Sequence, residues 1–263
     1  MSEQPAPSAI GAILLDIEGT TTPIAFVTEV LFPHARTHLR SHLERHARSE
    51  GYATLFAAFR DEHDAASLQG ELVPPWVDGP ESARLAALAV YAEWLMDRDR
   101  KSPALKELQG RIWEEGYRRG DLVGEVFPDV PGALRRWQER KLPVGIFSSG
   151  SELAQQLLFG HSSAGDLRPF LRWYFDTRVG PKIEAASYRT IAQAIGLPAA
   201  SILFVSDVTR ELTAARAAGM QVRLSIRPGN PPQPDQHAFE VTTSLADIVG
   251  DSSTRAARGG AVQ

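Results

Sequence analysis

The stretch Ile13-Leu14-Leu15-Asp16-Ile17-Glu18-Gly19-Thr20-Thr21-Thr22-Pro23 constrains this chain more than any other. An apolar run ends in an acid, passes one residue to a second acid and enters a turn rich in glycine and threonine. A short apolar run closed by such a turn predicts a buried strand, here Ala12 to Asp16. Open α/β sheets carry their chemistry in the crevice beyond the carboxyl ends of the strands. Asp16 and Glu18 are expected there, beside backbone amides freed by Gly19. Such a site can hold a metal, offer a carboxylate nucleophile and cradle a phosphate.

The rest of the chain divides by texture. From about Val27 to Asp121 there is little strand character. Val30-Leu31 through Leu39 and Leu43, and Tyr52 through Phe59, read as helical. Leu85, Leu88, Ala89, Ala92, Leu95 and Met96 recur at helical spacing with Ser82 as a candidate cap, and Leu105, Leu108, Ile112, Trp113 and Tyr117 follow Pro103 in the same way. From Phe127 strands and helices alternate: strands at Pro143–Phe147, Trp173–Phe175, Ser201–Ser206 and Gln221–Ile226, helices from Glu152, over Tyr188–Ile195 and over Glu211–Ala218. This alternation predicts an α/β fold with a doubly wound, Rossmann-like parallel sheet. The expected division is a core from 10–26 and 122–249 and a helical cap inserted at 27–121, over the mouth of the site. The small, polar, Gly-rich tail at 250–263 is expected to be disordered.

Composition limits the partners. The 263 residues suit one large domain or a core with an insertion, and 43% hydrophobic residues are enough for a substantial core. A net charge of −4 argues against nucleic acid or a membrane surface as partner, so an anionic substrate needs a local positive site from a metal or a few Lys and Arg. Cysteine is absent, which excludes disulfides, thiol catalysis and Cys-ligated metals. Met1 to Ser8 is polar and no stretch is apolar enough to span a bilayer. The expectation is a cytoplasmic monomer.

Three more segments supply matching chemistry. Val144–Phe147 runs into Ser148-Ser149-Gly150-Ser151, a hydroxyl-rich turn before a helix, where backbone amides favour anions. Gly180-Pro181-Lys182 can aim an ammonium at the same crevice, and Ile202–Val205 ends in Ser206-Asp207, with Glu211 a turn later. Acid, hydroxyl, lysine and acid, in that order on a parallel sheet, make a kit for Mg²⁺-dependent phosphoryl transfer to Asp. A hard cation takes oxygen ligands and masks the repulsion between carboxylate and phosphate.

At these residues the chain resembles the haloacid dehalogenase superfamily of phosphatases. Within it, the chain is similar to the enolase-phosphatase family of methionine salvage. The strings that carry this are Leu15–Ile24, Ser148–Ser151, Leu158-Phe159-Gly160-His161-Ser162, Phe175-Asp176-Thr177, Asp207-Val208-Thr209-Arg210-Glu211 and Arg227-Pro228-Gly229-Asn230. The resemblance runs from about Ala12 to Leu245. It implies Asp16 as nucleophile, Ser148, Ser149 and Lys182 as phosphate ligands, and Mg²⁺ held by Asp16, Asp207 and Glu18, the last through its backbone carbonyl. Most phosphatases of the superfamily carry Asp two residues after the nucleophile. Here that residue is Glu18, and the extra methylene leaves its side chain open as acid, base or bystander to the carbonyl contact. The implied substrate is 2,3-diketo-5-methylthiopentyl-1-phosphate, enolised and then dephosphorylated to acireductone.

Structural roles compete for several of these residues. Ser148 and Ser149 are good helix caps, and Asp207 with Glu211 resembles a capping box. His161 lies after a helical run, where loop hydrogen bonding suffices to explain it. His34, His38, His42 and His46 recur every four residues, which reads as a solvated helix face, and Trp76, Trp94 and Trp113 read as core or surface of the cap. The competing functions are a phosphatase of the same fold that acts on another small phosphate ester without enolisation, and a receiver-like module. The long insertion and the Asp-x-Glu start argue against the receiver, which needs access for a partner. A hydrolytic dehalogenase does not need the metal site that Glu18 and Asp207 imply.

Overall fold

The computed structural model describes residues 9–232 and 239–248. The expectations for Met1 to Ser8 and for the tail at 250–263 lie outside the described residues. The chain forms two compact units, one from the residues up to Ala25 with those from Gly124 onward, the other Phe26–Val123.

The first unit is built on strands β1 (Ala12–Leu15), β2 (Val144–Phe147), β3 (Leu171–Phe175), β4 (Ile202–Ser206), β5 (Gln221–Ser225) and β6 (Val241–Thr242). All neighbours pair in parallel, in the order β3-β2-β1-β4-β5-β6. Every residue of β1, β2 and β4 is buried, as expected of central strands covered on both faces. The chain builds outward from β1 through β2 to β3, then crosses over to lay β4 on the other side of β1. That reversal opens a crevice at the carboxyl ends of β1 and β4, where doubly wound sheets bind their ligands. Register aligns the two ends, with Leu15 opposite Val205. Asp16 and Ser206-Asp207 therefore emerge side by side.

Helices α5 (Val130–Glu139), α6 (Glu152–Gly160), α7 (Ala185–Ile195) and α8 (Thr209–Ala217) complete this unit. The α5 and β6 segments are not singled out by the sequence reading above; β6 has only two residues, too few to show a period. On one face Tyr188 and Ile191 of α7 and Leu212 and Ala215 of α8 pack, fully buried, against Leu14, Phe147 and Phe204. Tyr188 sits edge-on to Phe147 at 5.4 Å between ring centroids and 5.1 Å from Phe204, so the aromatic core lies directly under the ends of β2 and β4.

The second unit is helical: a wide turn at Phe26–Leu31, then α1 (Phe32–His46), α2 (Tyr52–Leu68), α3 (Glu81–Asp97) and α4 (Pro103–Arg119). Two expectations are corrected here. Ser82 lies inside α3, whose cap position is Pro80, whereas Ser102 caps α4 by accepting from the Leu105 amide at 2.9 Å. The histidine stripe is not a solvated face at His42, which is 3% exposed. Its ring bonds Tyr52 Oη of α2 through Nε2 at 2.5 Å and Glu115 of α4 through Nδ1 at 2.8 Å, so one imidazole ties three helices. Periodicity reports which residues share a face but not which face a neighbouring helix covers. Among the described residues no helix is long and apolar enough to cross a membrane.

Burial penalises the imidazolium and lowers the His42 pKa from its ordinary 6.5, against the Glu115 carboxylate that raises it. The unfolded chain then binds the proton more readily than the native one, so His42 makes stability fall as pH drops below about 6.5. His42→Gln is expected to flatten the slope of unfolding free energy between pH 7 and pH 5, measured by urea titration at each pH. An unchanged slope would place that dependence elsewhere.

Candidate active site

Asp16 follows directly on β1 and is 4% exposed. Its carboxylate is held by three donors: the Ile17 amide at 2.8 Å and Lys182 Nζ at 2.6 Å, both on Oδ1, and Ser206 Oγ at 3.1 Å from Oδ2. Lys182 reaches it from the loop between β3 and α7. That loop is fixed from below, with Tyr188 Oη donating to the Lys182 carbonyl and Ser187 Oγ to the Pro181 carbonyl, each at 2.7 Å. The ammonium also lies 2.8 Å from Glu211 Oε2 in the first turn of α8. Ser206 Oγ lies between the two acids, 3.0 Å from Glu211 Oε2, and accepts from the Val208 amide at 3.1 Å. With one hydroxyl hydrogen it serves one carboxylate at a time.

The charges in this group shift one another. Burial opposes the Lys182 charge, but Asp16 and Glu211 outweigh it and hold its pKa above the usual lysine range. Burial, then the like charge of Asp16, push the Glu211 carboxyl up to about 7 against the pull of Lys182. Asp207, 4% exposed beyond β4, is pushed up to about 7 by the same two causes, with Glu18 adding to them.

The competing capping roles fall to other residues. Ser151, not Ser148 or Ser149, caps α6, accepting from the Ala154 amide at 3.2 Å. The cap position of α8 is Val208, with no side-chain bond, so neither Asp207 nor Glu211 is spent there. Ser148 is buried at the end of β2, its Oγ accepting from the Gly150 amide at 3.0 Å, and Ser149 beside it is exposed. Phe147, the residue before Ser148, has the Lys182 ammonium 5.7 Å from its ring centroid. His161 is exposed at the end of α6.

Three residues at the end of β5 and in the loop after it have no role from sequence. Ser225 Oγ and Asn230 Nδ2 both donate to the Gly19 carbonyl, at 3.2 and 2.9 Å, and Arg227 Nε donates to the Thr20 carbonyl at 3.1 Å. Arg227 is 6% exposed and is neutralised by Asp129 at 3.0 Å. Arg227 and Asn230 stand in one of the strings that carry the resemblance, which was the available signal. That their side chains reach back to the loop after β1 follows only from β5 lying two places from β1 in the sheet.

The carboxylates of Asp16 and Asp207, at neighbouring strand ends, suit a hard cation. Gly19 has φ +67°, and a Cβ there would run into Asp207 Oδ2, so acid and loop backbone lie in close contact. Asn230 Oδ1, buried without a donor, lies 3.0 Å from the same point. The Glu18 side chain does not join Asp16 and Asp207 in a tight cluster. Among the described residues, the one set of three ligating side-chain atoms within 4.8 Å is His42, His46 and Glu115 in the helical unit. Two imidazoles are poor ligands for Mg²⁺. The Glu115 carboxylate there is already paired, with Arg45 at 3.0 Å and Arg119 at 3.4 Å.

Residues 10–219 match the family model for haloacid dehalogenase-like hydrolases. Enolase-phosphatase E1 of Synechococcus elongatus is 51% identical over 226 residues, which span 86% of this chain and 92% of that protein. The chain belongs to the enolase-phosphatase family. It is a phosphatase with the haloacid dehalogenase-like sheet. A probable bifunctional methylthioribulose-1-phosphate dehydratase/enolase-phosphatase E1 of Vitis vinifera is 47% identical over 241 residues, 90% of this chain but 46% of the plant protein. Among solved structures, the UTR4 protein of Saccharomyces cerevisiae is similar with a TM-score of 0.71 and 32% identity, over 89% of this chain and 98% of that one.

Removing Lys182 would leave two buried acids without their cation. Lys182→Met is expected to cost about 3–5 kcal/mol in chelator-treated protein, the usual penalty for orphaning a buried charge. The double variant Lys182→Met/Glu211→Gln should recover part of that loss, because one of the two orphaned charges is gone. Urea unfolding of the three proteins checks this; a double variant less stable than the single one would contradict the arrangement.

Proposed function

We propose that this enzyme is an acireductone synthase. It takes 2,3-diketo-5-methylthiopentyl-1-phosphate, enolises it and hydrolyses the phosphate, releasing acireductone in methionine salvage. The observation that carries the reading is the buried Asp16–Lys182 contact at the β1–β4 crevice, in a chain 51% identical to a named enolase-phosphatase. Asp16, Glu18, Ser148, Ser149, Lys182 and Asp207 are the residues assigned to it. The domain division proposed is the parallel-sheet core that bears these residues, with a helical insertion between β1 and β2.

Asp16, Asp207 and the Glu18 carbonyl would hold Mg²⁺, which supplies Lewis-acid polarisation of a substrate carbonyl and neutralises phosphate charge. Donors on both oxygens of Asp16 fix its carboxylate, and with it the direction of attack on phosphorus. As the new Asp16 oxygen–phosphorus bond forms, the ester P–O bond breaks and its electron pair leaves with the substrate oxygen. Ser148, Ser149 and Lys182 bind the equatorial phosphate oxygens, whose charge the ammonium balances. Glu18, half-buried two residues on, gives a proton to the leaving oxygen and takes one from the water that then cleaves the aspartyl-phosphate. The reading includes a cytoplasmic monomer with a small phosphorylated substrate and neither nucleic acid nor membrane as partner. The net charge of −4 supports the last part, that neither nucleic acid nor a membrane surface is a partner.

Asp16→Asn is expected to keep the fold, since the change is isosteric, and to abolish phosphate release, since an amide cannot form the acyl-phosphate. Release at the parent rate from folded variant would remove Asp16 as nucleophile. Enolisation is tested with substrate carrying two deuteriums on the phosphate-bearing carbon. One label should be lost from the enediol trapped as it forms, under conditions where the free diketone exchanges slowly. Retention of both, with normal phosphate release, would leave a phosphatase without enolase activity.

A further inference from the structure

The Asn230 carboxamide faces two ways. Its Nδ2 donates to the Gly19 carbonyl at 2.9 Å, which fixes the assignment of the two ends of the group. Its Oδ1 is buried and has no donor. That oxygen lies 3.0 Å from the position a Gly19 Cβ would occupy, and Asp207 Oδ2 crowds the same position. Two acceptor oxygens, one of them anionic, thus flank Gly19 with no donor assigned to Oδ1. A buried carbonyl-type oxygen left in this way is unfavourable, so the arrangement calls for something with hydrogens to give. The backbone around it is built to hold it still: the Asn230 amide closes a turn on the Arg227 carbonyl at 3.1 Å, and Arg227 is itself locked by Asp129 and by the Thr20 and Thr243 carbonyls.

Mg²⁺ dehydrates reluctantly and keeps several of its waters when a protein binds it through one or two carboxylates. Those waters are strong donors, and the groups that accept from them orient the ion's shell. We propose that Asn230 is a positioning residue for the cation half of the site: Nδ2 holds the loop after Asp16 through the Gly19 carbonyl, and Oδ1 accepts a hydrogen bond from a water of the ion held beside Asp207. The proposal rests on the assignment of Asp16, Asp207 and the Glu18 carbonyl as the metal ligands. It gives the loop after β5 a task in the reaction although none of its side chains contacts Asp16. One group couples two requirements, the course of the chain after the nucleophile and the orientation of the metal's waters.

The test is calorimetric titration of the full-length protein with Mg²⁺ in the absence of substrate, beside phosphate-release kinetics. Asn230→Ala removes both ends of the carboxamide and should weaken Mg²⁺ binding about tenfold, the lower end of what outer-shell partners contribute. It should lower kcat while leaving the substrate KM within about twofold, because Ser148, Ser149 and Lys182 are untouched. Asn230→Asp keeps the acceptor and loses the donor, so it should hold Mg²⁺ within about threefold of the parent yet still lower kcat through the loosened Gly19 loop. Parent-like Mg²⁺ affinity in Asn230→Ala would overturn the proposal. So would equal weakening in both variants, which would make Asn230 only a structural clamp. Asp207→Ala separates this from failure of the metal assignment. If it binds Mg²⁺ like the parent, or the parent shows no saturable binding, the ligand assignment falls and the proposal with it. If Asp207→Ala alone loses Mg²⁺, only the role of Asn230 is refuted.

Discussion

Lys182 lies between Asp16 and Glu211, 2.6 and 2.8 Å from them, in a group where every side chain is about a tenth exposed or less. Two carboxylates buried at the head of a sheet, over a largely apolar core, are costly without a cation between them. One ammonium shared by both offsets that cost, and the two acids in turn hold the Lys182 pKa above the usual lysine range. The same contact sets the path of the chain. The Lys182 loop must run close over Tyr188, whose hydroxyl takes its carbonyl, and Tyr188 must fill the space between Phe147 and Phe204. Core packing and site electrostatics are joined at this lysine.

Around that contact the sheet order does the gathering. β4 lies against β1, so Ser206 reaches both acids and Asp207 closes on Gly19; β5 lies one strand further, so its following loop can clamp the carbonyls of Gly19 and Thr20. Gly19 is needed for two separate reasons. Its φ of +67° is in the left-handed region that side chains disfavour, and a Cβ would displace the Asp207 carboxylate. The turn rich in threonine after it is compact, with the amides of Thr20, Thr21 and Thr22 all directed at the Ile17 carbonyl.

The helical unit has its own internal logic. Its three-helix junction at His42 keeps a neutral imidazole between a phenol and a carboxylate, a buried polar network in which each member has a partner. Glu115 also takes Arg45, and although burial works against it, the bonds from His42 and Arg45 keep its carboxyl down at about 2.

Much of the candidate site could be read from residue order alone. An apolar run closed by an acid is a strand end wherever it occurs, and Asp16, Ser148, Lys182 and Asp207 each follow a strand or lie in a loop ahead of a helix. Period and turn chemistry are local properties, and they located β1, β2, β4 and β5 to within a residue or two at each end. Ser206 as a bridge, Glu211 as the second partner of Lys182, and Arg227 and Asn230 as clamps were decided by the tertiary structure. Each acts on a residue brought to it by strand order, and in all four cases that residue lies roughly 30 to more than 200 positions away along the chain. The same limit misplaced His42, since a stripe repeating every four residues looks alike whether water or another helix covers it. Sequence determined which groups stand at the ends of which elements, because that depends on neighbours a few residues apart. Which groups touch depended on the order of strands in the sheet and the packing of helices, and those are settled only when the whole chain closes.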